Sequence, residues 1–139
     1  MKPTLWMAGM AWLALSLNAN AAPAPIEATI LLQTTHSWDG TPLPAYPTTQ
    51  PELTVRKIVL QPGAQLPWHT HPMPATGYVV SGELHVETPD GKTTVLKPGQ
   101  LLSEMSKVHR GRGGPEGSEV IAFYAGTPGL PLSVDAAEH

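Results

Sequence analysis

The chain has 139 residues, with 8 Lys and Arg against 11 Asp and Glu and a formal net charge of −3. That length suits one domain with its own core, and the charge gives no electrostatic reason to bind nucleic acid. There is no cysteine, which removes disulfides and thiolate ligands or nucleophiles and leaves the chemistry to His, Glu, Asp, Tyr and the main chain.

The first segment stands apart from the rest. Lys2, an apolar run over 5–17 and the small residues Ala19-Asn20-Ala21 have the order of a secretory signal peptide, with Ala22 as the new N-terminus. The run is shorter than the ~20 residues of a bilayer span, which argues against a retained anchor. Residues 1–21 are therefore expected to be removed. The mature chain is expected in the periplasm or outside the cell, soluble and without membrane contact.

Short segments rich in Val, Ile, Leu, Thr and Tyr follow, punctuated by 16 prolines and 13 glycines. Strands are predicted at 29–34, 54–60, 78–81, 83–88, 93–97, 100–105 and 119–125. Tight turns are predicted at 89–92, around Gly91, and at 97–100, where Pro98-Gly99 suits a type II turn. No segment after the leader shows a helical period. Many short strands with frequent turn signals indicate an antiparallel β-sandwich or small barrel. Residues 36–52 carry Pro42, Pro44, Pro47 and Pro51 and are too long for an ordinary connection. They are expected to wrap the barrel or cover a mouth, tied down by Trp38 and Tyr46. Beyond Thr127 an extended tail is expected, frayed over 135–139. The resulting division is a leader at 1–21, an N-terminal strand and Pro-rich loop at 22–52, a barrel at 53–127 and a tail at 128–139.

Strand parity sorts the histidines. His69 and His71, in "PWHTHP", are two apart, so an extended strand sends both imidazoles to one face. Pro67 and Pro72 favour extended backbone before them and stiffen that aim. His85 shares a face with Glu83 and Glu87 and is expected to face solvent; His36 and His139 are expected to be incidental. His109 follows the predicted strand at 100–105 and precedes a Gly-rich stretch.

These residues match a pattern. "GAQLPWHTHPMPATGYVVSG" (63–82) resembles the first cupin motif, Gly-x5-His-x-His-x3,4-Glu-x6-Gly, with Gly63, His69, His71 and Gly82 at the required spacings. "LKPGQLLSEMSKVHRGRGG" (96–114) is similar to the second, through Pro98, Gly99 and His109. The resemblance implies an all-β, antiparallel double-stranded β-helix or jelly-roll barrel, of the small single-domain kind. It also implies a metal site made by His69, His71 and His109. The motif Glu falls on Ala75 and the Asn that often ends the second motif falls on Gly113. The ligand set is therefore three His, as in some oxygen-using cupins. Glu104 shares parity with apolar Leu102, and a carboxylate on the core side needs a partner, as metal ligand or as orienting and proton-transferring group.

Three imidazoles suit Fe, Zn, Cu, Ni or Mn and leave the cation's charge uncompensated. The candidates for handling a small organic molecule are Arg110 and Arg112 as anion holders, Trp68, Met73 and Met105 as apolar lining, and Tyr78 as a proton-transferring group. A metal-dependent, dioxygenase-like enzyme is one reading; a non-catalytic cupin that binds a metal or small ligand is another, and a purely structural metal a third. A homodimer is expected, because exposed edge strands in small barrels are often covered by a second copy.

Overall fold

Side chains alternate between buried and outward-facing along the two longest strands, and that alternation places the core. The computed structural model describes residues 26–104 and 107–136. In chain order the strands are β1 (Glu52–Leu60), β2 (His69–Thr70), β3 (Ala75–Glu87), β4 (Thr93–Leu96), β5 (Leu101–Ser103), β6 (Arg110–Gly126) and β7 (Val134–Asp135). Ala75, Gly77 and Val79 of β3 point inward, as do Val120, Ala122 and Tyr124 of β6. β1, β6, β3 and β4 pair in that order, β5 adds to β3, and every pairing is antiparallel; β2 and β7 form a second, two-stranded sheet. This is the antiparallel jelly-roll barrel, or double-stranded β-helix. Leu60, Val79, Leu84, Val86, Leu102 and Val120 fill most of one part of its interior, and Met73, Ala75, Ala122 and Tyr124 the other.

β3 is one strand where the sequence predicted two. Register shifts at Val79/Ser81 and Gly82/Leu84 bend it and switch its parity, so that Leu84 and Val86 again face inward. Gly82 takes φ +69°, and a Cβ there would overlap the Gly117 carbonyl. β6 also corrects the reading. Residues 110–118 look like a Gly-rich loop but form the first half of a 17-residue strand. The glycines serve close approach there: a Cβ on Gly113 would lie 2.5 Å from the Gln61 carbonyl oxygen. An Asn side chain does not fit that position.

The predicted strand at 29–34 is not one. Those residues are exposed, Ile30 at 75% and Leu31 at 67%, and pair with no strand among the described residues. β-type composition makes no ladder without a partner edge. The turns at Gly91 and Gly99 are as predicted, with positive φ at both and the Gln100 amide donating to the Lys97 carbonyl at 3.0 Å. The Pro-rich loop is held at its start: the Trp38 amide donates to the Ser103 carbonyl, Ser103 Oγ donates to the His36 carbonyl at 3.0 Å, and Trp38 packs on the core. Tyr46 does not tie the loop down; it is 72% exposed. Nor is the tail frayed from 135. β7 pairs with β2, and the Ala136 amide donates to the Trp68 carbonyl at 2.8 Å. The predicted leader, Met105 and His139 lie outside the described residues.

Candidate metal centre

His69 and His109 face each other across a reciprocal backbone pair, each amide donating to the other's carbonyl at 2.9 and 3.0 Å. Directly opposed residues of an antiparallel pair send side chains to the same face. His71 follows two residues along that extended segment, and so three buried imidazoles meet. Ring centroids are 4.5 Å apart for His69–His109, 4.9 Å for His69–His71 and 5.1 Å for His71–His109. One potential ligand atom from each lies within 4.8 Å of the others.

The second nitrogens settle the tautomers. His69 Nδ1 donates to the Pro67 carbonyl at 2.8 Å, His71 Nδ1 to the Leu132 carbonyl at 2.7 Å and His109 Nδ1 to the Lys107 carbonyl at 2.8 Å. A proton committed to Nδ1 leaves Nε2 with its lone pair, the form a metal ligand needs. His109 Nε2 is buried and has no partner with hydrogen-bond geometry. A buried nitrogen left this way calls for an explanation.

Glu104 supplies an oxygen. Its Oε2 stands 3.3 Å from His109 Nε2 and 3.5 Å from His71 Nε2. These separations exceed the ~2.7–2.9 Å of a charge-assisted hydrogen bond; carboxylate and imidazoles surround a shared space. Its amide donates to the Ala75 carbonyl at 3.0 Å, and its carboxylate lies over Gly77, where a Cβ would be 3.4 Å from Oε1. Small residues on β3 thus make room for a carboxylate from the residue just after β5, beside the position where the first motif has its Glu. Burial pushes the Glu104 carboxyl up, but His109 and His71 outweigh it and hold the group at about 2. Burial pulls His71 down, and Glu104 more than reverses this, so His71 ends above its ordinary value. Burial sends His69 below its ordinary value, with the neighbouring His109 and His71 adding to the fall. The donor set of three imidazole nitrogens and one carboxylate fits a divalent transition metal.

Other predicted residues lie elsewhere. His109, Gly111 and Gly113 point inward, so parity turns Arg110 and Arg112 outward. The Arg110 guanidinium sits over the Trp68 ring at 4.2 Å and its Nε donates to Glu87 Oε1 at 2.6 Å; Arg112 Nη2 stands 3.4 Å from His85 Nδ1. These three residues therefore do not line the triad. Tyr78 shares the outward parity of Thr76 and Val80 and is away from it too. His85 faces outward beside Glu83, as expected. Met73, 1% exposed, is core. Two contributors escaped notice. Tyr124 is buried with its ring 5.6 Å from His71; burial and the Glu104 charge raise its hydroxyl above the ordinary value. Its parity within 119–125 was a usable signal. The Leu132 carbonyl, a main-chain atom in the tail, left none.

Residues 56–117 match the family model of the cupin domain. The chain carries a cupin domain. Solved structures agree on the fold. A cupin-like protein from Thermotoga maritima superposes with a TM-score of 0.51 at 22% identity, over 62% of this chain and 65% of that one. A protein with a double-stranded β-helix domain from Klebsiella pneumoniae gives 0.52 at 22%, over 70% and 83%. A polyketide cyclase from Streptomyces resistomycificus gives 0.52 at 19%, over 63% and 62%. The cupin thus spans just under two thirds of the Thermotoga and Streptomyces proteins. Such identities establish architecture, and this architecture hosts many activities. No curated protein sequence matches the chain significantly.

Proposed function

We propose that this cupin holds a divalent transition metal (Fe, Zn, Cu, Ni or Mn) on the Nε2 atoms of His69, His71 and His109, and uses it on a small organic molecule in dioxygenase-like chemistry. The observation that carries the reading is the tautomer lock: three Nδ1–H groups donate to carbonyls, and three Nε2 atoms are left to converge. When bound, the metal supplies Lewis acidity and a site for an anionic group or an acidified water. The chain's own residues do the rest. The Pro67, Leu132 and Lys107 carbonyls orient the rings. Glu104 offsets the cation's charge, as ligand or as partner of the ligating imidazoles. Tyr124 and the aliphatic interior keep bulk water from one side. Arg110, Arg112, Trp68 and Tyr78 have no part in this proposal.

The test is metal stoichiometry in matched preparations. Wild type and His85→Ala should carry equal metal, while His69→Ala, His71→Ala and His109→Ala should each lose most of it with the fold retained. Equal content in His109→Ala and His85→Ala would reject the site.

Export and pairing complete the proposal. Export is supported by the Lys2, apolar and Ala19-Asn20-Ala21 order of the leader; sequencing the exported protein should give an N-terminus at Ala22, and an intact Met1 would oppose it. Pairing is supported by apolar residues on the outer faces of β1 and β6, with Leu53 82%, Val55 59%, Val59 57% and Phe123 44% exposed.

A further inference from the structure

Two hollows in the cupin differ in size and place. One of about 400 Å³ lies against the outer face of the sheet, lined by Leu32, Val55 and Phe123 among others, and no member of the triad lines it. The other, about 30 Å³, lies within the barrel and reaches the centre itself, since His69, His109 and Glu104 form one end of it. Its body is aliphatic: Leu60, Leu84, Val86, Leu102, Val120 and Ala122 contribute, all buried.

The size is informative. One water needs ~10–15 Å³ of such space, whereas pockets for organic ligands run to ~300–1,000 Å³. The inner hollow therefore has room for a diatomic molecule and none for an organic substrate. The lining is informative too. A water inside needs two to four polar partners, and every polar partner is at the triad end. Away from that end a small apolar molecule loses nothing, because it makes no hydrogen bonds in water either. Gly111 keeps the space open. A Cβ there would come 3.3 Å from Leu84 Cδ1 and 3.5 Å from Leu66 Cδ1, inside the hollow, and the residue has no positive φ to require glycine.

We infer that this hollow is a gas site: it takes one small apolar molecule of diatomic size, dioxygen being the reactive member of that class, against the inner side of the candidate metal centre. The inference deepens the proposed function by assigning the inner space to the gas and denying it to the organic molecule. It rests on that reading for its chemical meaning, while its occupancy does not require metal.

Xenon is the probe. Crystals of the protein, with and without added metal, are pressurised with xenon, and binding in solution is followed by 129Xe chemical shift. One xenon is expected in the hollow in both forms. Gly111→Ala and Ala122→Val, which fill it from two positions on β6, should each lower xenon affinity by about tenfold or more while circular dichroism stays native. Two variants are used so that a folding failure in one leaves the other decisive. Absence of xenon from the wild-type hollow, ordered water in its place, or unchanged affinity in a folded filling variant would overturn the inference. Loss of the metal reading alone, with xenon still bound, would leave the gas site standing, so the two failures are distinguishable.

Discussion

Glu104→Gln is the sharpest probe of the carboxylate beside the triad. The substitution keeps the shape and removes the charge. With metal present, Gln is a weaker oxygen donor and no longer offsets the cation. Partners of ligating imidazoles typically account for 10–100-fold in metal affinity, or about 1.4–2.7 kcal/mol. Zinc titration against a competing chelator near neutral pH should show a loss of at least that size.

The metal-free protein gives a second, independent readout. Glu104 falls from 4.5 to about 2, held there by His109 and His71 together, and His71 rises beside Glu104; the part shared by Glu104 and His71 is one ion pair, to be counted once. A depressed carboxyl contributes stability above its unfolded value, lost as pH falls toward the folded one; a raised imidazole contributes stability below its unfolded value, lost as pH rises through the folded one. The pair therefore stabilises the metal-free fold most between about pH 4.5 and 6.5. The drop to about 2 sets the ceiling for Glu104 with both imidazoles at about 3 kcal/mol, of which the pair with His71 is only a part, and Gln forfeits less because it also escapes the desolvation of a charge. Urea denaturation of metal-stripped protein should show the variant less stable near pH 5.5, with the gap narrowing toward both pH 3 and pH 8. Parallel stability–pH curves together with unchanged zinc affinity would refute the placement of Glu104 among the imidazoles.

Three further outcomes are expected. Gly82→Ala forces a Cβ onto the Gly117 carbonyl at positive φ and should destabilise the fold by at least ~2 kcal/mol; an unchanged melting temperature would count against the β3 bend. Removing residues 130–139 deletes β7 and the Leu132 carbonyl that orients His71, and should weaken zinc binding by ~10-fold; full affinity in the truncated chain would mean that the tail does not position the ligand. Val55→Asp on the apolar outer face of β1 should convert a dimer to monomer in sedimentation at micromolar concentration, and a wild-type monomer would end the pairing proposal.

The sequence carried the site further than it carried the strands around it, for a physical reason. His69 and His71 are bound by strand parity, a rule that survives irregular neighbours when only two residues are involved. Glu104 was readable from its step to Leu102, again a two-residue argument. Longer inferences failed where backbone proximity, invisible in side-chain composition, takes over. Gly111, Gly113 and Gly114 look like a loop because glycine is the usual loop residue, yet here they let β6 run against the 60–66 segment and Glu83. Misreading them as a loop moved Arg110 and Arg112 toward the site; as strand residues flanking inward positions they must point out. The same limit hid the tail. Leu132 contributes a carbonyl, and every residue has one, so no pattern of side chains could have marked it. The candidate ligands are thus written in residue type and spacing, while the orientation of at least one of them, His71, is supplied by main chain 61 residues away, which only the closed barrel brings near.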